Sequence, residues 1–205
     1  MGRGKRPATY EDIEALPPGW VGEIIDDELW AFPRPATWHT RAASKLGALL
    51  DRFDAGQGGP GGWWILDEPE LHFGRQVLVP DLAGWRRERA PGLLERDEPF
   101  FDLAPDWICE VLSPSTAALD RGRKLDVYLQ EGVSHAWLVD PRAHALDVYR
   151  RGKKGWRLVA RHGGEEVIRA EPFDAEPLEL GLLWAPKSTP APGLGGPGSA
   201  GSTPG

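Results

Sequence analysis

The chain has 205 residues, 40% apolar and 27% charged, which is enough for one domain with a sizeable core. Its net charge of −7 excludes a protein that coats polyanions through a global basic field, although a local basic patch could still grip a short segment. The single cysteine, Cys109, excludes an intrachain disulfide and a cysteine zinc cluster, and no stretch approaches the ~20 apolar residues of a membrane span. The opening MGRGKRPATY has no apolar signal core, so no membrane partner is expected and the cytoplasm is the expected location.

In chain order, residues 1–8 read as a loose basic lead. Thr9 is placed to cap a short helix over Tyr10–Leu16, which Pro17-Pro18-Gly19 ends. Trp20–Ile25 and Glu28–Phe32 form a predicted hairpin across Asp26-Asp27. A helix from Thr37 or Thr40 to about Phe53 carries Ala42, Leu46, Leu49, Leu50 and Phe53 on one face. The glycine-rich DAGQGGPGG over 54–62 is a loop. Predicted strands follow at Trp63–Leu66, Glu70–Phe73 and Val77–Trp85, the last interrupted by Pro80, which cannot donate to a ladder and predicts an edge or a bend beside Asp81. Residues 86–104 read as a charged surface excursion. Ala136–Pro141 is a buried strand, and Leu146–Arg150 with Trp156–Ala160 is a second hairpin. Short apolar pieces lie at Val167-Ile168 and Leu178–Trp184. The last residues, 185–205, are Pro-, Gly- and Ser-rich and are expected to be a disordered tail, leaving 1–184 as one α/β (α+β) domain.

The segment Pro105–Tyr128, PDWICEVLSPSTAALDRGRKLDVY, organises these pieces. Trp107–Leu112 is an apolar run of strand length with one acid inside it, Glu110. A buried carboxylate costs several kcal/mol, roughly, unless something pairs with it. Ser113-Pro114-Ser115-Thr116 breaks the strand and offers hydroxyl caps. The helix that follows carries Asp120, Lys124 and Tyr128 at i, i+4 and i+8, all on one side, and Gly132 fits its stop. An exposed Asp120–Lys124 pair, worth ~0.3–0.5 kcal/mol, accounts for the helix but not for Glu110.

Asp81, after Pro80 at the end of an apolar strand, is the natural partner. Two carboxylates on adjacent strands suit a hard divalent cation, which takes oxygen ligands and can polarise a phosphate or acidify a bound water. They should then lie on one face of the sheet, close enough to share the ion. Lys124 can point its ammonium back toward them, to orient water or offset developing charge.

Pro80-Asp81, a glycine- and charge-rich excursion, and then Glu110 on a strand resemble the PD-(D/E)XK nuclease motif. The lysine that normally stands two residues beyond the glutamate is here Leu112. The resemblance is closer to the Uma-two family of restriction endonucleases. It runs through Glu110-Val111-Leu112-Ser113-Pro114-Ser115-Thr116, then Asp120, Lys124 and Tyr128, Gly132-Val133 and Trp137–Pro141, with Thr9–Asp12, Gly22–Ile25 and His39 upstream. It implies a restriction-endonuclease-like fold, a mixed β-sheet flanked by helices with an N-terminal hairpin. It implies a catalytic set of Glu23, Asp81, Glu110 and Lys124, with Lys124 moved to the helix in place of the residue missing at Leu112. It further implies Mg²⁺ (or Mn²⁺ in its place) held by Asp81, Glu110 and a backbone carbonyl such as that of Val111, with DNA as substrate; the sequence leaves the oligomeric state open, a homodimer included.

Taken by itself Glu23 could equally be an outward-facing strand carboxylate. His39 could touch the phosphate or cap its helix, and Tyr128 is a candidate substrate contact. The other histidines, at 72, 135, 144 and 162, show no metal spacing and are expected at the surface. Ser113 lacks a nucleophile elbow, and the ten tryptophans are read as core rather than as base-stacking platforms. Two dense basic runs, Arg86-Arg87-Glu88-Arg89 and Arg150-Arg151-Gly152-Lys153-Lys154, remain; the second sits at a hairpin tip and reads as a solvated turn or a phosphate-backbone contact.

Overall fold

The computed structural model describes residues 6–34, 36–54 and 59–184. The tail expected over 185–205 lies outside the described residues. Helix α1 (Tyr10–Glu14) starts as expected at Thr9, whose N–H donates to the Asp12 carboxylate at 2.9 Å. Strands β1 (Trp20–Ile25) and β2 (Glu28–Pro33) form the N-terminal hairpin, and α2 spans Thr37–Asp54.

Val77–Trp85 is not one strand. It divides into β5 (Gln76–Leu78) and β6 (Leu82–Arg86), which belong to different sheets. The small sheet has the order β2-β1-β5-β4, with β4 at Leu71–Phe73. The large one has six strands, with β3 (Trp63–Asp67) at one edge, then β6, β7 (Trp107–Val111), β8 (His135–Asp140), β9 (Ala145–Gly152) and β10 (Gly155–Gly163). Only β7 and β8 run parallel, so this sheet is mixed. The chain passes from one sheet to the other at Val79-Pro80-Asp81. A proline has no amide hydrogen for either ladder, so the bend falls there.

Side-chain alternation divides the core in two. Trp107, Cys109, Val111, Trp137 and Val139 face α2, whose Ala42, Leu46, Leu50 and Phe53 are buried at helical spacing. Phe173 completes this half: its ring lies 4.9–5.5 Å from those of Phe53, Trp63, Trp107 and Trp137. Five of the ten tryptophans, Trp63, Trp85, Trp107, Trp137 and Trp184, are buried in the core, whereas Trp20 on β1 is exposed, so the expectation that they are core residues holds only in part. Gly84 keeps β6 thin between two of them, since a Cβ there would meet the Trp107 and Trp63 rings at 3.2 Å.

The opposite face carries Ala83, Trp85, Ile108 and Leu138. It is covered by Ile25, Leu71 and Leu78 of the small sheet and by the helical crossover from β7 to β8. Residues 86–104 are less superficial than their charge suggests: Ala90 and Leu93 are buried in this half, and the Phe101 ring packs 5.2 Å from that of Trp85. The crossover has three pieces: α3 (Ala117–Leu119), a π-helical turn over Asp120–Lys124, and α4 (Leu125–Gln130). Gly132, at φ +92°, ends it in the left-handed region that favours glycine. Among the described residues, no helix is long and apolar enough to cross a membrane.

Candidate active site

Glu110 shares the face of Ile108, so it points into the seam between the large sheet, the small sheet and the crossover. It is 2% exposed there, and two donors meet it: Lys124 Nζ at 2.9 Å and the Tyr128 hydroxyl at 2.7 Å, both on Oε1. Glu23 reaches the same ammonium from β1, with Oε1 at 2.8 Å from Lys124 Nζ. That oxygen also accepts the Val79 N–H at 2.7 Å, so the bend between the sheets holds Glu23 inward. Glu23 is therefore not an outward strand carboxylate. Asp120 Oδ1 stands 3.8 Å from Lys124 Nζ, which also donates to the Val79 carbonyl at 3.3 Å. A wide π turn is a common device at functional sites, and here it turns both Asp120 and Lys124 inward.

The exposed Asp120–Lys124 pair is thus corrected. Both residues are 3% exposed, and the lysine is the hub of a buried network. Helical periodicity places residues on one side of a helix but does not show whether that side meets solvent. Asp81 stands one step beyond the Leu82–Cys109 pair, on the same face as Glu110 by alternation. Its Oδ2 accepts the Val111 N–H at 2.6 Å, and its Oδ1 lies 3.3 Å from His39 Nε2.

The charges are unbalanced. Glu23, Glu110, Asp120 and Asp81 surround one ammonium and one imidazole. Burial drives Glu110 well above the usual carboxylate range, only partly offset by Lys124 and reinforced by the other acids. Burial likewise pushes Asp120 to about 6, again against the pull of Lys124. For Lys124 burial works downward, but Glu110, Glu23 and Asp120 outweigh it and hold the ammonium charged, well above its ordinary value. Burial also works downward on His39, and the hydrogen bond and charge of Asp81 overcome it, so the imidazole stands raised.

Glu23, His39, Asp81, Glu110, Asp120 and Lys124 all line one cleft of about 180 Å³, with the Val111 backbone at its wall. Tyr128 does not. It is fully buried and stands behind Glu110 as a hydrogen-bond donor, so the substrate contact expected of it is corrected. Leu112, where the superfamily lysine would stand, is 3% exposed in the apolar half-core, and no cation approaches from that position. Asp120 is the residue that sequence reasoning left out of the site. Its spacing from Lys124 and Tyr128 was the available signal. Among the described residues, no three His, Cys, Asp or Glu side chains are grouped so as to hold a metal ion by themselves.

A family model described as "Uma2: Putative restriction endonuclease" matches residues 7–180. The chain belongs to the Uma2 family. A similar solved structure is that of a protein from Anabaena variabilis titled as a putative nuclease of DUF820. It has a TM-score of 0.68 and 22% identity, over 86% of this chain and 97% of that one. At that identity the likeness speaks for the fold: a mixed α+β, restriction-endonuclease-like arrangement. No curated protein matches the chain. In this Uma2 chain the cleft gathers Glu23 of β1, Asp81 after Pro80, Glu110 of β7 and Asp120 and Lys124 of the crossover, although they lie far apart in sequence.

Proposed function

We propose that this chain is a divalent-metal-dependent endonuclease that hydrolyses phosphodiester bonds, with DNA as substrate. The observation that carries the reading is the convergence of four acids in a walled cleft beside one ammonium and one imidazole, two of them, Glu110 and Asp120, raised by burial. A bound divalent cation would favour their ionised forms and balance their charge. The donor set suits Mg²⁺, which keeps several waters and is held by one or two carboxylates rather than by a dedicated cage. Asp81, just before β6, and Glu110 of the neighbouring β7, with the Val111 carbonyl beside them, would hold it. When bound, such an ion polarises a scissile phosphate and lowers the pKa of a coordinated water.

The chain's own groups do the rest. Lys124, kept charged by its neighbours, is placed to orient the attacking water and to offset charge on the phosphate oxygens. Glu23 fixes that ammonium and keeps it directed at the cleft. Tyr128 holds Glu110 in one orientation by donating to it, and His39 beside Asp81 is the candidate contact to the phosphate.

The test pairs binding with turnover. Mn²⁺ affinity is measured by calorimetry, and supercoiled plasmid is incubated with Mg²⁺ or with chelator, for wild type, Asp81→Asn and Glu110→Gln. Each variant should weaken Mn²⁺ at least ~10-fold and cleavage ~10²-fold or more. Unchanged Mn²⁺ binding in both variants would remove the metal site and the mechanism with it.

A second reading has one observation in its favour. The Lys124 ammonium is already shared among Glu23, Glu110 and the Val79 carbonyl, which is a closed arrangement. A nuclease-fold module that binds nucleic acid or a partner protein without cutting would show Mn²⁺ or nucleic-acid binding and no cleavage of duplex, single strand or RNA.

A further inference from the structure

A second surface lies at the other end of the large sheet. The β9–β10 hairpin tip, together with the start of β8, forms a shallow cleft of about 1100 Å³. Arg150, Arg151, Lys153, Lys154 and Arg157 line it, and among the described residues no carboxylate does. All five are exposed on a chain whose net charge is −7. Arg150 is paired with Glu171 at 3.1 Å, whereas Arg151, Lys153, Lys154 and Arg157 have no ion-pair partner among the described residues.

One residue of the other dense basic run, Arg86, reaches the same end of the sheet. Arg86 closes β6, its guanidinium stacks on the Trp63 ring at 4.6 Å, and it acts with Arg150 on the His135 imidazole, which burial and these two charges lower against the pull of Glu171. Arg86, more than sixty residues away in sequence, is thus brought to the same end of the sheet as Arg150 by the register of β6 on β7, β7 on β8 and β8 on β9, while Arg87 and Arg89 pair with Asp54 and Asp106.

We infer that this cationic cleft is a second contact surface for the phosphodiester backbone of a nucleic-acid duplex, separate from the candidate active site. The inference rests on the nuclease reading for the identity of the polyanion. Strand register sets the distance. The active-site cleft opens at the Val111 end of β7, and the basic cleft lies past the Trp107 end and two to three strands across, at the β9–β10 tip, roughly 20–25 Å away at ~3.3 Å per residue and ~4.8 Å per strand. That is within one duplex turn, ~34 Å, so a single duplex can meet both. A membrane surface is less well matched, because no exposed large apolar side chain lines the cleft to enter a bilayer. A bland role is also available: β10 is an edge strand, and charges on it and at its tip deter pairing with another chain.

The experiment uses the full chain in chelator, so that binding is read without cleavage. Anisotropy of a labelled duplex is followed against KCl concentration for wild type and for the Lys153→Ala/Lys154→Ala/Arg157→Ala variant, with thermal melting and light scattering on both. The expected result is at least ~10-fold weaker binding and a salt slope reduced by ~2–3, at about 0.9 for each phosphate that is no longer neutralised, with melting unchanged. Equal affinity and slope in the two proteins would overturn the inference, and would leave the nuclease reading standing if Mg²⁺-dependent cleavage persists. Self-association of the variant at unchanged duplex affinity would overturn it too and assign the lysines to edge protection. Binding to phosphatidylserine vesicles but not to the duplex would also overturn it. Loss of salt-dependent binding in the variant of a chain that cuts nothing would support the surface while the nuclease reading fails.

Discussion

Replacing Lys124 by methionine keeps most of the stem and removes the ammonium, and its consequence can be worked from the geometry. In wild type the ammonium lies 2.8 Å from Glu23, 2.9 Å from Glu110 and 3.8 Å from Asp120, at 3% exposure. Its removal leaves three buried acids without their cation. Breaking a buried pair by deleting one partner costs ~3–5 kcal/mol, an order of magnitude above the ~0.5 kcal/mol of a solvated helix pair. For a domain of this size ~1 kcal/mol moves Tm by about 2–4 °C, so a loss of ~6–20 °C is expected near neutral pH. The loss should shrink in acid, because Glu110 and Asp120 already stand above the usual carboxylate range and can become neutral by taking up protons. Calorimetric melting of wild type and Lys124→Met at pH ~8 and ~5 measures both effects. Adding Glu110→Gln to the lysine variant should recover part of the loss, since one orphaned charge is gone, with a coupling of ~1–3 kcal/mol. A Tm change under ~2 °C at the higher pH would refute the buried network. Cleavage by lysine variants has to be assayed well below their lowered Tm, or lost stability will pass for lost chemistry.

Tyr128→Phe removes a fully buried hydroxyl that donates to Glu110 at 2.7 Å, and should cost about 1.5–3 kcal/mol in denaturant titration without changing the far-ultraviolet dichroism. Asp120→Asn tests the raised acid. A folded-state pKa of about 6, above the ordinary 3.8 of an aspartate, means the folded chain holds the proton more tightly, so stability is lost as pH climbs through that window. The variant should therefore gain on wild type by up to ~3 kcal/mol between pH ~3.5 and ~7.5, and a swing of the opposite sign would contradict the placement of Asp120. Phe173→Ala empties the centre of the aromatic half-core and should cost ~3–5 kcal/mol by urea titration, while leaving Mn²⁺ affinity intact because that half lies across the sheet from the cleft.

The sequence by itself determined what depends on local pattern. Turn chemistry at Asp26-Asp27, helical spacing from Ala42 to Phe53, the β7 run and the Gly132 stop each specify a conformation through neighbours in the chain, and the structure has them close to where they are expected. Glu110 also announced itself, because a carboxylate inside an apolar run requires a partner, and its partners proved to be Lys124 and Tyr128. What the chain could not reveal locally was which side of an element meets solvent, or which sheet a strand joins. Lys124 has the same helical spacing whether it is solvated or buried; only the small sheet, laid over the crossover, shuts it in. Val77–Trp85 reads as one strand because both halves are apolar, and it is the pairing of Val77 with Ile24 and of Leu82 with Cys109 that sends the halves to different sheets and leaves Asp81 at the bend. Glu23 is indistinguishable from a surface carboxylate until that bend offers it the Val79 amide. Arg86 likewise comes to the same end of the sheet as Arg150 only through strand register. Each of these outcomes rests on contacts between residues far apart in the chain, whose energies come from burial and pairing that no local window contains.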